Sequence, residues 1–167
     1  MGRNWSIQYD ALDALLDVTA PASKEVSPTT YKPVLAFDAS TAEIAYFVGV
    51  LPLEYTGAGT LKANMIWMAN ATTGSALMNV YCEFLNPGTE AGDTDAHGAT
   101  PDVGVLTAAT TAYKLFNTVV TLTNAPSKSA SDRFSLKIKR DATATGSPAD
   151  DLAVDLLLLA LEFYEVT

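Results

Sequence analysis

From residue 31 onward, hydrophobic and polar residues alternate with a period of two, which is the spacing of side chains along a β-strand. Seven runs with this character lie at 34–38, 43–51, 60–69, 76–86, 113–123, 133–140 and 151–166, and a short extra strand is predicted near 103–106. Segments rich in glycine, proline and polar residues separate the runs. The pattern predicts an all-β protein, an antiparallel β-sandwich with a jelly roll as the favoured topology and an immunoglobulin-like sandwich as the alternative.

The last run is apolar on both faces, because Leu156 and Leu158 alternate with Leu157, Leu159 and Leu161. A strand in a two-layer antiparallel sandwich normally shows one face to water. The second apolar face therefore predicts a homo-oligomer, with a trimer as the best guess. The alternative is a cover supplied by the N-terminal segment or by a loop of the same chain.

Residues 1–30 lack this alternation. Asp10 can cap a short helix over 11–17, and three prolines then interrupt the chain up to residue 33. We therefore predict an extended N-terminal arm (1–30) carrying a short helix, followed by a jelly-roll domain (31–167). The arm either docks on a partner or packs on its own domain. The candidate partner contacts are the apolar residues of the arm and of the last run: Trp5, Tyr9, Leu12, Leu15, Leu16, Leu157, Leu159 and Leu161.

Charge narrows the choice of partners. The 167-residue chain has a net charge of −9, and its charged fraction of 17% is below the ~25% typical of globular proteins, which indicates a surface protected by contacts. Direct nucleic-acid binding is not expected, because phosphate binding needs a basic patch. Arg133, Lys137 and Lys139 alternate with apolar residues and are interpreted as the solvent face of one strand. The longest apolar run, 156–161, is too short for a membrane-spanning helix, and the N-terminus lacks the apolar run of a signal peptide, so no membrane partner is predicted.

Few residues could carry catalysis. The chain has one histidine, His97, and one cysteine, Cys82. His97 lies in a glycine- and aspartate-rich tract and is interpreted as an exposed loop residue. Cys82 shares a strand face with apolar residues and is interpreted as a buried, inert thiol. No nucleotide-binding or hydrolase motif is present, so we assign no catalytic or cofactor-binding residue and predict that the protein is not an enzyme.

Two groups of aspartates could meet a cation. Asp93 and Asp95 have the spacing that opens a calcium loop, but the remaining ligands are missing. Asp141, Asp150 and Asp151 flank another loop and are interpreted as solvated. We therefore assign no metal ligand.

Tryptophans could instead serve a sugar-binding face, because aromatic rings stack on sugars. Trp67 alternates in phase with Leu61 and Met65, so we interpret it as a core residue. Trp5 is left unassigned.

Several strand and turn segments carry a family resemblance: Phe37-Asp38, Glu43-Ile44-Ala45-Tyr46-Phe47, Leu51-Pro52, Gly59-Thr60-Leu61-Lys62, Met68-Ala69-Asn70-Ala71-Thr72-Thr73-Gly74, Asp132-Arg133-Phe134-Ser135-Leu136-Lys137-Ile138-Lys139-Arg140-Asp141, Asp150-Asp151 and Glu162-Phe163-Tyr164. Over about residues 37–167 the chain resembles the jelly-roll virion structural proteins of tailed bacteriophages, which occur as capsid decoration or cement proteins and as fibre or tail modules.

The resemblance implies a virion structural protein. In the main reading it is a trimeric capsid decoration or cement protein that binds the major capsid protein or another virion protein, stabilises the capsid through its arm and oligomer contacts, and is located in the virion after assembly in the host cytoplasm. The alternative is a phage tail or fibre module that binds a host-surface glycan or another virion protein.

Overall fold

The computed structural model describes residues 2–27, 31–88 and 97–167. These residues form eleven strands and one short 3₁₀ helix: β1 (Arg3–Asp10), the 3₁₀ helix (Ala11–Asp13), β2 (Leu15–Leu16), β3 (Ser23–Val26), β4 (Pro33–Phe37), β5 (Glu43–Val50), β6 (Thr60–Ala69), β7 (Ser75–Leu85), β8 (Asp102–Thr107), β9 (Phe116–Thr121), β10 (Arg133–Arg140) and β11 (Leu156–Val166). Within the described ranges, no helix has the length and hydrophobicity needed to cross a membrane.

The strands form two antiparallel sheets that pack face to face. The first sheet has the order β3-β4-β11-β6-β9, with β1 also paired to β11, and the second has the order β2-β5-β10-β7-β8. The eight strands from β4 to β11 divide into two four-stranded sets, β4-β11-β6-β9 in the first sheet and β5-β10-β7-β8 in the second. Two antiparallel four-stranded sheets with this strand order form a jelly roll. The predicted all-β jelly-roll sandwich is therefore confirmed.

The core lies between the sheets and receives alternate residues of each strand. In β10, Phe134, Leu136 and Ile138 are fully buried. The cationic residues that alternate with this buried set, Arg133, Lys137 and Lys139, face outward, as the period of two predicts. Trp67 of β6 is also buried, which confirms its interpretation as a core residue.

The N-terminal segment packs on its own domain. β1 pairs with β11 from Arg3 opposite Val166 to Asp10 opposite Ala160. Trp5 is 9% exposed and contacts Phe163 edge-on, with ring centroids 5.3 Å apart. Of the two possibilities that the sequence left open, docking on a partner or on the same chain, the structure shows the second for β1.

The helix predicted over 11–17 is wrong in its length. Asp10 caps the helix as predicted, since its side chain accepts a hydrogen bond from the Leu12 amide at 2.6 Å. The helix is a single 3₁₀ turn, Ala11–Asp13. It ends there because Leu15 and Leu16 pair with β5 and form the edge of the second sheet.

A β-bulge in β11 changes which leucines face the core. The pairing with β6 shifts register between Leu158 and Ala160. Alternation therefore restarts after the bulge, and Leu161 lies in the central core together with Leu156 and Leu158. Grouping Leu161 with Leu157 and Leu159 on one outer face was wrong, because a sequence pattern of strict period two has no place for the extra residue.

The outer apolar face of β11 is small and is covered within the chain. Leu157 is 8% exposed and forms a separate cluster with Val34, Ala36 and Met68. Tyr113, from the segment between β8 and β9, packs against this cluster. A loop of the same chain thus supplies the cover, which was the alternative to an oligomer. The trimer stays a prediction.

Arg140 joins the two sheets at one end of the sandwich. Its side chain is fully buried, and its guanidinium contacts the Asp150 carboxylate through Nε at 3.0 Å and Nη2 at 2.9 Å. It also donates to the carbonyl oxygens of Phe37, Leu152 and Val154 at 2.6–3.0 Å. The end of β10 is thereby fastened to the end of β4 and to the segment that leads into β11.

We expect Trp5→Ala to destabilise the protein by ~3–5 kcal/mol, because truncating a buried aromatic side chain loses its transfer free energy and leaves a cavity. Urea unfolding monitored by circular dichroism measures the change. Leu12→Ala is the control, because Leu12 lies in the same segment but is 56% exposed. Equal stability of the Trp5 variant and the wild type would contradict the packing of β1 in the core.

We expect Arg140→Met to lower the free energy of unfolding by ~3–5 kcal/mol, because it leaves the Asp150 carboxylate buried without its partner. Lys139→Met on the same strand removes the same charge from a partly exposed side chain, and it should change stability by less than ~1 kcal/mol. Similar losses in the two variants would show that Arg140 has no special role in joining the sheets.

Candidate functional site

The outer face of the second sheet carries a row of aromatic and polar side chains. β10 lies between β5 and β7, and its register aligns Lys137 with Tyr46 on one side and Tyr81 on the other. Two residues before Lys137 in β10, Ser135 lies between Val48 of β5 and Glu83 of β7. Because Phe134, Leu136 and Ile138 point inward, these positions all point outward. We call Tyr46, Tyr81, His97, Ser135 and Lys137 the tyrosine face.

Tyr46 is held in place by a turn of the N-terminal segment. Its hydroxyl donates to Asp17 Oδ2 at 2.8 Å. The other oxygen of Asp17 accepts hydrogen bonds from the amides of Thr19 and Ala20, which lower the pKa of this carboxyl and keep it ionised. Burial, with the Asp17 carboxylate, raises the pKa of Tyr46 to about 12. Tyr46 is thus a neutral phenol whose orientation is set by an anion.

Tyr81 is paired with a cation. The Nζ atom of Lys137 lies 5.1 Å from the centroid of the Tyr81 ring, a cation–π distance. Burial and the carboxylate of Asp141 raise the pKa of Tyr81, so its hydroxyl keeps its proton at neutral pH. The row across the sheet therefore offers two rings and one ammonium group.

His97 completes the face from the segment that follows residue 96. Its ring centroid lies 5.5 Å from that of Tyr46, and Nε2 lies 3.0 Å from the Ser135 hydroxyl oxygen. The side chain is 18% exposed, so its interpretation as an exposed loop residue is wrong, because the ring packs on the sheet. Burial and the nearby Lys137 cation lower the pKa of His97, which favours the neutral imidazole at pH 7.

A cleft of about 460 Å³ opens beside the tyrosine face. Its wall combines apolar surface with hydrogen-bonding groups, and the lining residues are Val48, Glu83, Leu85, Asn86, Pro87, Arg133 and Ser135. Concave surfaces with a few convergent polar groups are the usual form of a small-molecule site.

The contacts of His97 do not form a catalytic triad. In a triad, the serine and the carboxylate contact different nitrogens of the imidazole. Here Glu83 approaches the same Nε2 atom that contacts Ser135, at 3.8 Å. Cys82 offers no alternative nucleophile, because it is buried, as predicted, and this burial raises the pKa of its thiol.

The aspartates flanking the 141–150 loop are structural. The Asp150 side chain contacts Arg140, and Asp151 Oδ1 accepts a hydrogen bond from the Ser75 amide at 2.6 Å. The interpretation as a solvated acid is wrong for Asp150, because its side chain is 1% exposed and is buried against Arg140. Asp151 is exposed, and Asp141 is partly exposed beside Lys139. Asp93 and Asp95 lie outside the described residues. In the described ranges, no cluster of three or more potential metal ligands occurs.

The predicted partner contacts have different surroundings. Trp5 and Leu161 lie in the core, and Tyr9 donates its hydroxyl hydrogen to the Val48 carbonyl oxygen at 3.0 Å. Leu12, Leu15 and Leu16 keep large exposed areas. For these three leucines, contact with a partner stays a prediction.

The sequence analysis did not identify the tyrosine face. Tyr46 and Tyr81 lie on strands that are 35 positions apart, and only the pairing of both strands with β10 brings them into one row. A signal was present, since both tyrosines alternate with apolar core residues and therefore occupy outward positions.

Solved structures with a similar fold include carbohydrate-binding modules. A CBM35 module from Cellvibrio japonicus Abf62 superimposes with a TM-score of 0.53 at 7% identity, over 95% of this chain and 92% of that one. TmCBM27, a carbohydrate-binding module that recognises mannan, gives a TM-score of 0.43 at 10% identity, over 98% and 99% of the two chains. No protein family and no curated protein sequence matches the chain. At 7% identity, the likeness to the CBM35 module shows the β-sandwich fold.

This comparison corrects the functional prediction. The main prediction, a capsid decoration or cement protein, is wrong, because the CBM35 module that shares the fold is a carbohydrate-binding module. A β-sandwich framework is common to both classes, so strand and turn residues were a poor guide to function.

We expect Cys82 to be unreactive toward a thiol reagent such as dithionitrobenzoate in the native protein at pH 8, because only a thiolate attacks and burial raises the pKa of this thiol. Release of the coloured product should require unfolding in urea. Fast release from the native protein would contradict the burial of Cys82.

Proposed function

We propose that this chain is a non-catalytic carbohydrate-binding module whose ligand lies on the tyrosine face. The observation that carries the proposal is the row Tyr46–Lys137–Tyr81, aligned across β5, β10 and β7. The rings are amphipathic, with an apolar body and a polar tip. Such rings can contact the apolar faces of sugar units while nearby groups bond to the hydroxyls.

The hydrogen-bonding groups are suited to sugars. A sugar hydroxyl both donates and accepts, so a binding face needs donors and acceptors close together. Lys137 and Arg133 supply donors, the Glu83 carboxylate supplies an acceptor, and the Ser135 hydroxyl can do either. All four side chains lie beside the rings on the same side of the sheet.

The ring–ring spacing suits an oligosaccharide. Tyr46 and Tyr81 lie on strands separated by one intervening strand, which sets their backbones ~10 Å apart. One sugar ring is too small to cover both. A ligand of several units can contact both rings and extend into the cleft lined by Leu85 and Asn86. The similar fold of a CBM35 module supports this proposal.

Affinity gel electrophoresis tests the proposal. The native protein migrates through gels that contain one soluble polysaccharide each: glucomannan, xylan, mixed-linkage β-glucan, polygalacturonate or alginate. We expect at least one polymer to retard the wild type. Tyr46→Ala and Tyr81→Ala should each weaken that retardation about tenfold, the effect of losing ~1.4 kcal/mol of binding free energy.

Tyr31→Ala is the matched control, because Tyr31 is an exposed tyrosine outside the tyrosine face. It should migrate like the wild type. Thermal unfolding curves verify that each variant is folded. The proposal fails if no polymer retards the wild type, or if Tyr31→Ala weakens binding as much as Tyr81→Ala does.

A further inference from the structure

The tyrosine face is crossed by a row of cations. Arg133, Lys137 and Lys139 occupy alternate positions of β10 and point away from the core. They are three of only ten lysines and arginines in a chain of net charge −9. Three of these ten cations thus lie in one row on this sheet face.

Two of these cations are not neutralised by a described residue. Lys139 lies 3.8 Å from Asp141. In the described part of the chain, no carboxylate lies within ion-pair distance of Arg133 or Lys137. Lys137 contacts the Tyr81 ring, and Arg133 is exposed at the wall of the cleft.

Two carboxylates, those of Glu83 and Asp17, lie beside this row. Glu83 lies 3.8 Å from His97 Nε2. Asp17 accepts hydrogen bonds from Tyr46, from the Thr19 hydroxyl and from two backbone amides. A ligand group placed between Arg133 and Lys137 would meet two cations, with the Glu83 carboxylate on the neighbouring strand.

We propose that the ligand is an anionic polysaccharide, with carboxylate or sulfate groups, that lies along β10 and contacts Arg133 and Lys137. This inference rests on the proposed function. Alternate residues of a strand lie ~6.6 Å apart, so the two cations are separated by ~13 Å. A polymer with repeated negative groups can pair with both, whereas one small anion can pair with one.

The chain is not suited to nucleic acid. Phosphate-backbone binding depends on many contacts with lysine and arginine, since each neutralised phosphate adds to the affinity. Here the exposed row has three cations, and the surrounding surface belongs to an acidic protein. Two rings beside two unpaired cations match a sugar with an attached acidic group better.

The test compares polymers that differ in charge. Polygalacturonate and alginate are the acidic probes. Highly methyl-esterified pectin, which has the polygalacturonate backbone with its carboxylates blocked, and glucomannan are the neutral probes. We expect an acidic polymer to be bound at least tenfold more tightly than the neutral polymers, with the affinity falling as salt is raised from 50 to ~500 mM.

Arg133→Gln and Lys137→Gln should each reduce the affinity for the acidic polymer about tenfold. Lys114→Gln is the matched control, because Lys114 also lies over an aromatic ring, 5.4 Å from the Phe116 centroid, but it precedes β9 of the first sheet. Lys114→Gln removes the same charge and the same kind of ring contact as Lys137→Gln. The affinity of this control variant for the acidic polymer should equal that of the wild type.

Other outcomes separate this inference from the proposed function. Binding of neutral polymers as tight as that of acidic ones, or no effect of Arg133→Gln and Lys137→Gln, would overturn the anionic ligand and leave the carbohydrate-binding module standing. Failure to bind any polysaccharide would overturn both. Equal binding of poly-L-glutamate or single-stranded DNA, with no response to Tyr81→Ala, would reveal unspecific attraction of polyanions and would also overturn both.

Discussion

The buried guanidinium of Arg140 is the constraint on which the closure of the sandwich depends. An arginine has five N–H donors and cannot lose its charge, so a buried one must find a partner for each donor. Arg140 does so with the Asp150 carboxylate and three backbone carbonyl oxygens. The carbonyl groups belong to Phe37, Leu152 and Val154, so satisfying one side chain brings β4 and the approach to β11 to the end of β10.

The same contact determines which residues of β10 point toward the tyrosine face. Arg140 points inward in step with Phe134, Leu136 and Ile138, so Lys137 must point outward. A slip of one residue would turn every side chain of β10 to the opposite face, and it would put a lysine ammonium into the core. The interaction that closes the sandwich therefore also maintains the row that β10 forms with its two neighbouring strands.

Local alternation predicted the sandwich because strands such as β10 alternate buried and outward positions with a period of two. It placed Trp67 in the core and the cations of β10 outside. It could not place Leu161, because the bulge at Leu159 depends on pairing with β6. It extended the N-terminal helix too far, because Leu15 and Leu16 form hydrogen bonds with a strand about 30 positions later. The tyrosine face could not be predicted for the same reason. Its row of side chains is created by the register between distant strands, and no short sequence motif encodes that register.

The tyrosine face is organised before any ligand arrives. Tyr46 is fixed by Asp17, whose own orientation is set by two amides of its turn, and the His97 ring is fixed between Tyr46 and Ser135. A ligand that docks on such rings loses less free energy to the ordering of protein side chains than one that must order them itself. Among the described residues, nothing fixes the exposed guanidinium of Arg133 in the same way. Under the proposed function, the rings would set where a sugar lies, and the cation at the cleft would adapt to the position of an acidic group.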